Sequence, residues 1–334
     1  MENLKGFFKL VANENMKSFF RLRTLIFAIF FIVSIGIMGY FHSTHAPNIN
    51  KDNWKTSAKN EIQKLKEENT KLQSDISNTK STNTKSSAII ELNKNNDKIK
   101  KLNYSIKHNI PTNMRTPWDF TNKNMEAFLG PLIYFVLMYG VGTIYLENKN
   151  NTMKQLLIRP HSRYKILLSK ITSTILFTAI ASLFVMLILL ITGVILYGKN
   201  GMGQNILTLI DGKIVENNAY IFHIKYLMYG LIRYTLSISV GFMMALIFNS
   251  QIIAILTALF ITNSGATLVP FIAKYSWAKY VLFSNLDLAG KLSVTSSFPH
   301  VEGVTVPFSI SIVLIYSLVF FAISFVYFKK KNIA

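Results

Sequence analysis

The chain has 334 residues, half of them apolar, with 36 Lys and Arg against 16 Asp and Glu, a formal charge of +20, and no cysteine. The apolar residues fall in runs of about 18 to 27, enough to cross roughly 30 Å of hydrocarbon as helices, which excludes a soluble fold and gives an all-α, polytopic membrane protein. Missing cysteines exclude disulfides and thiolate redox or metal chemistry, and the basic residues flank apolar runs, where they are orientation signals rather than a nucleic-acid footprint.

Residues 1–23 form a leader in which Leu4, Phe7, Phe8, Val11, Met16, Phe19 and Phe20 follow helical spacing, with Lys5, Lys9 and Lys17 elsewhere on the wheel. The pattern predicts a cytoplasmic amphipathic helix lying in the headgroup layer; the alternative is an amphipathic start to the first span. A signal peptide is not expected, because the charged leader is long and no small-residue cleavage site follows Tyr40.

Residues 24–41 are the first span, running outward. Residues 42–126 then change composition. From Lys51 to Lys107 there are 13 lysines and 7 acidic residues. Ile62, Leu65, Leu72 and Ile76 follow a heptad with Asn69 in the remaining core slot, and Leu92, Ile99, Leu102 and Ile106 repeat it with Asn95. Joined by a polar turn over Ser77 to Ser87, the two strips predict an extracytoplasmic antiparallel helical hairpin. It is either a solvated spacer between the first two spans or a basic arm that meets an anionic envelope polymer, substrate or partner.

The second span is 127–146, with Pro131 in its first turn, where proline is tolerated. Residues 147–170 form a polar island. Met153, Leu156 and Leu157 give one apolar stripe on a short helix; Pro160 ends it, and Ser162 caps a second helix. Arg159, Arg163, Lys165 and Lys170 add a basic skin that holds the island inside. The remaining spans are 171–197, 226–248, 252–273 and 306–328, giving six with both termini cytoplasmic. The outer loops are 198–225, short and mixed, and 274–305, where Trp277, Tyr280, Val281 and Phe283 suit an interfacial or re-entrant helix. Ser237, Gly241 and Ala245 recur every four residues as a strip for close helix packing, inside one subunit or between two. Arg233, one third of the way into its span, should face protein or water or snorkel outward.

No catalytic constellation is present. There is no phosphate-cradling loop of the Walker type, no His-Glu-x-x-His, and no Asp or Glu inside a span to couple an ion; Glu126 and Glu147 bracket the second span and Asp287 lies in an outer loop. His42 and His45, without a nearby carboxylate, do not make a metal site. The chain is therefore expected to be no enzyme in itself and to carry no cofactor.

The order of parts resembles the permease subunit of a type-2 ATP-binding-cassette (ABC-2) exporter over nearly the whole chain. The most specific piece is the island, where Leu146-Glu147, Thr152, Leu156-Leu157, Arg159-Pro160, Ser162-Arg163 and Lys170 fit the family pattern, except that Asn151 stands where Gly is usual. The resemblance implies a dimer of permeases, identical or paralogous, on cytoplasmic ATPases that hold ATP and Mg, with Glu147, Thr152, Met153, Leu156, Leu157, Arg159, Pro160, Ser162 and Arg163 forming the coupling surface. It implies export of an apolar or amphipathic cargo such as a membrane-active peptide, as in the phenol-soluble modulin exporters. The Lys, Asn and Ile bias suits an AT-rich bacterial genome, and with the resemblance it implies the cell membrane of a low-GC Gram-positive bacterium. A second reading is a non-transporting envelope sensor or scaffold whose hairpin binds a partner.

Overall fold

The computed structural model describes residues 2–45, 49, 53–78, 82–112, 114–149, 162–199, 201–210, 213–248, 250–263, 268–292, 301 and 303–330. Helix α1 (Glu2–Phe19) breaks at Phe20 and Arg21, and α2 (Leu22–His45) follows. Helices α3 (Trp54–Asn78) and α4 (Thr82–His108) form the expected antiparallel hairpin. Ala58, Ile62, Leu65 and Leu102 make its small core, and Glu61 pairs with Lys98 at 2.6 Å. The helices run through most of the polar stretch 77–87 expected to be a turn: three residues separate them, because Ser, Thr and Asn in that stretch weaken a helix without breaking it. Asn69 meets Asn96, its amide 2.9 Å from the Asn96 carbonyl, rather than Asn95. Asn109, at φ 56°, takes the left-handed conformation that ends α4.

Helix α5 (Pro117–Lys149) begins ten residues before the expected second span. Thr116 Oγ1 accepts the Asp119 amide at 3.1 Å and Pro117 occupies the first turn, so the start is well specified. Pro131 therefore lies inside the helix, not in its first turn. Helix α6 (Arg163–Tyr197) opens on Ser162, whose hydroxyl accepts the Lys165 amide as the sequence predicts, and it stops at Gly198, at φ 67°.

The loop between α6 and the next helix carries the departure from an all-helical reading. Strands β1 (Asn205–Ile210) and β2 (Lys213–Asn218) pair antiparallel in register from Asn205↔Asn218 to Ile210↔Lys213. Helices α7 (Ala219–Phe248) and α8 (Gln251–Asn263) come next, then α9 (Val269–Ile272), three 3-10 turns between Ser276 and Leu292, and α10 (Val306–Lys330).

Among the described residues five helices are long and apolar enough to cross a membrane: α2, α5, α6, α7 and α10. The protein is thus an all-α membrane protein with one small β-hairpin. Of the span expected over 252–273, residues 264–267 lie outside the described residues; helix α8 covers 13 residues before them, about 20 Å at 1.5 Å per residue, and α9 follows them.

The core lies where α5, α6 and α7 cross, around Leu132, Val136, Leu137, Val185, Leu189 and Phe242. Phe31 and Ile35 bring α2 onto it. A β-carbon on Gly140 would stand 2.6 Å from Thr174 and 3.0 Å from Phe242, so only glycine permits this crossing. Helices α2 and α6 run toward one end of the bundle, and α5, α7 and α10 run away from it. His42 meets Tyr197 at the end nearer the helical hairpin, here the hairpin side, and Arg163 donates to the Lys329 carbonyl at the opposite, leader side.

Candidate functional site

On the leader side, three elements converge on one buried cation. Lys170 of α6 is 2% exposed; its Nζ lies 3.0 Å from Glu14 Oε2 of α1 and 2.7 Å from Glu147 Oε2 of α5. Lys17 closes the group from its surface, 3.4 Å from Glu14 Oε1 and 4.0 Å from Glu147 Oε1. One turn along α6, Ser173 donates to Asn15 Oδ1 at 2.9 Å and lies 3.2 Å from the Tyr139 hydroxyl. Burial alone would raise the Glu14 carboxyl, but attraction to Lys170 and then Lys17 outweighs it and holds the group below its ordinary range. Lys170 is therefore a buried tie between helices, not part of a basic skin. Its reach is explained by spacing: Asn15 and Glu14 on α1 face Ser173 and Lys170, while Phe8, Met16 and Phe20 point outward. The leader thus docks through Glu14 and Asn15 together with buried Val11 and the Phe19 ring against Phe177, and presents Phe8, Met16 and Phe20 away from the helices.

Of the coupling surface expected from the sequence, Glu147, Ser162 and Arg163 are described. Glu147 belongs to the ion group, Ser162 caps α6, and Arg163 Nη1 donates to the Lys329 carbonyl at 3.3 Å. Thr152, Met153, Leu156, Leu157, Arg159 and Pro160 lie outside the described residues. The small-residue strip packs inside the subunit. A β-carbon on Gly241 would be 2.9 Å from Leu137 Cδ2 and 3.0 Å from Val141 Cγ2; Ser237 is buried, and Ala245 packs with Val141 and Ala254. Helix α7 uses the strip to approach α5 and α8.

A cavity of about 70 Å³ opens between α5, α7, Thr262 and Asn263 of α8, and the segment from Asp287 to Gly290. Its lining includes Glu126, Arg233, Asn263 and Asp287, over a floor of Leu129, Ile133, Tyr226, Leu227 and Tyr234. Arg233 donates to Asn263 Oδ1 at 3.2 Å, and Asp287 Oδ1 accepts the Gly290 amide at 3.0 Å. The Tyr234 hydroxyl donates to the Leu129 carbonyl and joins α7 to α5 beside the floor.

The hairpin side has its own ties. Tyr104 of α4 donates to Glu216 of β2 at 3.2 Å, and the Trp118 indole donates to the Met202 carbonyl at 2.8 Å while stacking on His223. Among the described residues no group of three or more His, Asp or Glu could hold a metal ion.

Residues 86–334 match the profile of a family described as "Protein of unknown function (DUF2705)". The chain belongs to this family. It is similar to two proteins of Bacillus subtilis (strain 168). One, "Uncharacterized protein YhcI", is 28% identical over 333 residues, covering 97% of this chain and 99% of that protein. The other, "Uncharacterized membrane protein YdbK", is 21% identical over 220 residues, 62% of this chain and 84% of that protein.

In this DUF2705 chain two features escape a sequence reading built on spans. Glu126 and Asp287 are 161 positions apart and each looks like an ordinary flank of an apolar run, yet both line one cavity. The β-hairpin did carry a signal. Asp211-Gly212 between two apolar-rich stretches is a strong two-residue hairpin pattern.

Proposed function

We propose that this protein is the membrane-embedded permease subunit of an ATP-driven exporter with the ABC-2 arrangement, powered by a separate ATPase seated on the loop 147–170. The observation that carries this reading is the salt-bridged group at the root of that loop. Lys170 joins Glu147, the last part of α5, to Glu14 of the leader. A push on the loop is then delivered to the leader, α5 and α6 together, as a rigid-body drive requires. In this reading the leader side is cytoplasmic, α8 with the segment after it makes a sixth crossing, and both termini lie inside. Two permeases, alike or paralogous, work together in the cell membrane of a Gram-positive bacterium, with ATP and Mg on the ATPase. The cargo is apolar or amphipathic, of the membrane-active kind that the resemblance suggests.

The test is affinity purification of the tagged full-length protein from its native membrane. A cytoplasmic ATPase recovered with the wild type and lost with Leu156→Asp and Leu157→Asp supports export; no ATPase with the wild type sinks it. One observation favours a sensor instead, since the Tyr104 to Glu216 contact links the helical hairpin to the loop between α6 and α7. Replacing 54–108 by a short linker separates the two: an exporter keeps its ATPase, whereas a sensor loses its partner.

A further inference from the structure

A recess of about 40 Å³ opens on the leader side, where the chain turns from α1 into α2. Its lining includes Arg21, Arg23 and Phe27 from the start of α2, Phe135 and Met138 of α5, and Phe177 of α6. Phe27 and Phe177 are buried, Arg21 is half-buried, and Arg23 and Met138 are exposed. The recess therefore has an apolar back and a cationic lip. Neither guanidinium has an ion-pair or hydrogen-bonding partner among the described residues, and Glu14 and Glu147, carboxylates of the same end of the bundle, are taken by Lys170 and Lys17.

Two guanidiniums without an internal counter-charge favour an anion, and their planar forks match the oxygens of a phosphate. The site stands at the first residues of a span, which is headgroup depth, where the phosphate at hand is that of a phospholipid. About 40 Å³ has space for a few groups of water size, enough for phosphate oxygens and not for a sugar or a base. A free phosphate would leave the Phe27, Phe135 and Phe177 wall uncovered, whereas a phosphate ester with an acyl chain covers it. A zwitterionic head would bring its ammonium beside two arginines with no free carboxylate described there to receive it, so the lipid is a net anion.

The path for the chain follows the same face of α2. Arg23 and Phe30 are seven residues apart, two turns and about 10 Å along the helix, which puts them above one another. Phe30 is 51% exposed, and its ring is 5.9 Å from that of Phe135 in the recess wall. The apolar wall thus continues from the recess to the lipid-facing surface.

We propose that this recess binds the phosphate of an anionic phospholipid between Arg21 and Arg23, with an acyl chain leaving past Phe135 and Phe30 into the bilayer. Phe177 also packs on Phe19 of the leader at 5.5 Å, so the bound lipid shares a wall with the docked leader. The binding needs only that α2 crosses a membrane, and neither an ATPase nor a cargo, so its failure and the failure of the export reading are separately visible.

The probe is phosphatidylglycerol with a diazirine on its acyl chain, present as a minor component with the purified full-length protein in phosphatidylcholine nanodiscs. Labelled peptides are located by mass spectrometry. Labelling is expected on the peptides holding Phe30 and Phe135, displaced when unlabelled phosphatidylglycerol replaces part of the phosphatidylcholine and not by inorganic phosphate. It should fall about tenfold in the Arg21→Gln, Arg23→Gln double variant, the loss of a charge-assisted contact, in a protein with an unchanged size-exclusion profile. The Lys5→Gln, Lys9→Gln variant removes the same charge from the exposed side of the leader and should label like the wild type. The competition arms use the wild type alone and stand whatever the arginine variant does. No displacement by phosphatidylglycerol, equal displacement by inorganic phosphate, unchanged labelling in the arginine variant, or an equal loss in the lysine variant would overturn the assignment.

Discussion

Lys170 Nζ lies 2.7 Å from Glu147 Oε2, an ion pair that closes the ends of α5 and α6 around the loop between them. Because the lysine is also shared with Glu14, its removal leaves two carboxylates without their buried cation.

Replacing Lys170 with Met should therefore cost roughly 3 kcal/mol, the usual penalty for breaking one side of a buried pair. The measurement is the unfolding midpoint of the purified protein in detergent. Adding Glu14→Gln and Glu147→Gln should restore most of the loss, because the uncompensated charges then disappear too. A triple variant as unstable as Lys170→Met alone would contradict the electrostatic account.

The same group sets a pH dependence. The Glu14 carboxyl is held below its ordinary range in the folded protein, so its contribution is present at neutral pH. It is lost as pH falls through the ordinary glutamate range, near ~4.3, toward the lowered folded value. Wild type should lose stability between pH 5 and lower values, roughly, by more than the Glu14→Gln variant does. Parallel midpoint curves for the two proteins would show that Glu14 contributes nothing there.

Gly241→Leu drives a side chain into Leu137 and Val141 and should destabilise the bundle by about 1–3 kcal/mol through overpacking. Gly36→Leu on α2, where nothing lies within 4 Å, is the control; it should leave the midpoint unchanged or slightly raised. Equal effects at the two sites would place the α5 to α7 contact elsewhere.

In the helical hairpin, Leu102→Ala removes a buried side chain from a core of few members and should cost about 2–3 kcal/mol locally. Hydrogen exchange is the readout. Amides over 54–108 should lose protection while those of α6 and α7 keep theirs, since the hairpin has its own core.

The spans, the heptads and the Ser162 cap are legible in the sequence because each rests on local periodicity or a single capping side chain. The tertiary partners are not. Lys170 reads as one more cytoplasmic lysine until α1 is laid along α6, and nothing in the spacing of Glu14 announces its partner. Asn69 and Asn95 fall in matching heptad slots, yet the observed contact is with Asn96, because an antiparallel pair sets its register by packing along both helices rather than by slot alone.

Helix α8 also constrains how the chain is built, because it is tied to its neighbours by Gln251 on the Met138 carbonyl of α5, by Ala258 beside Gly241 of α7, and by Arg233 of α7 on Asn263. Its place depends on α5 and α7 having already entered and met. The seat of α8 is therefore complete only when all three helices are together, which makes its position a report on the pairing of the other two.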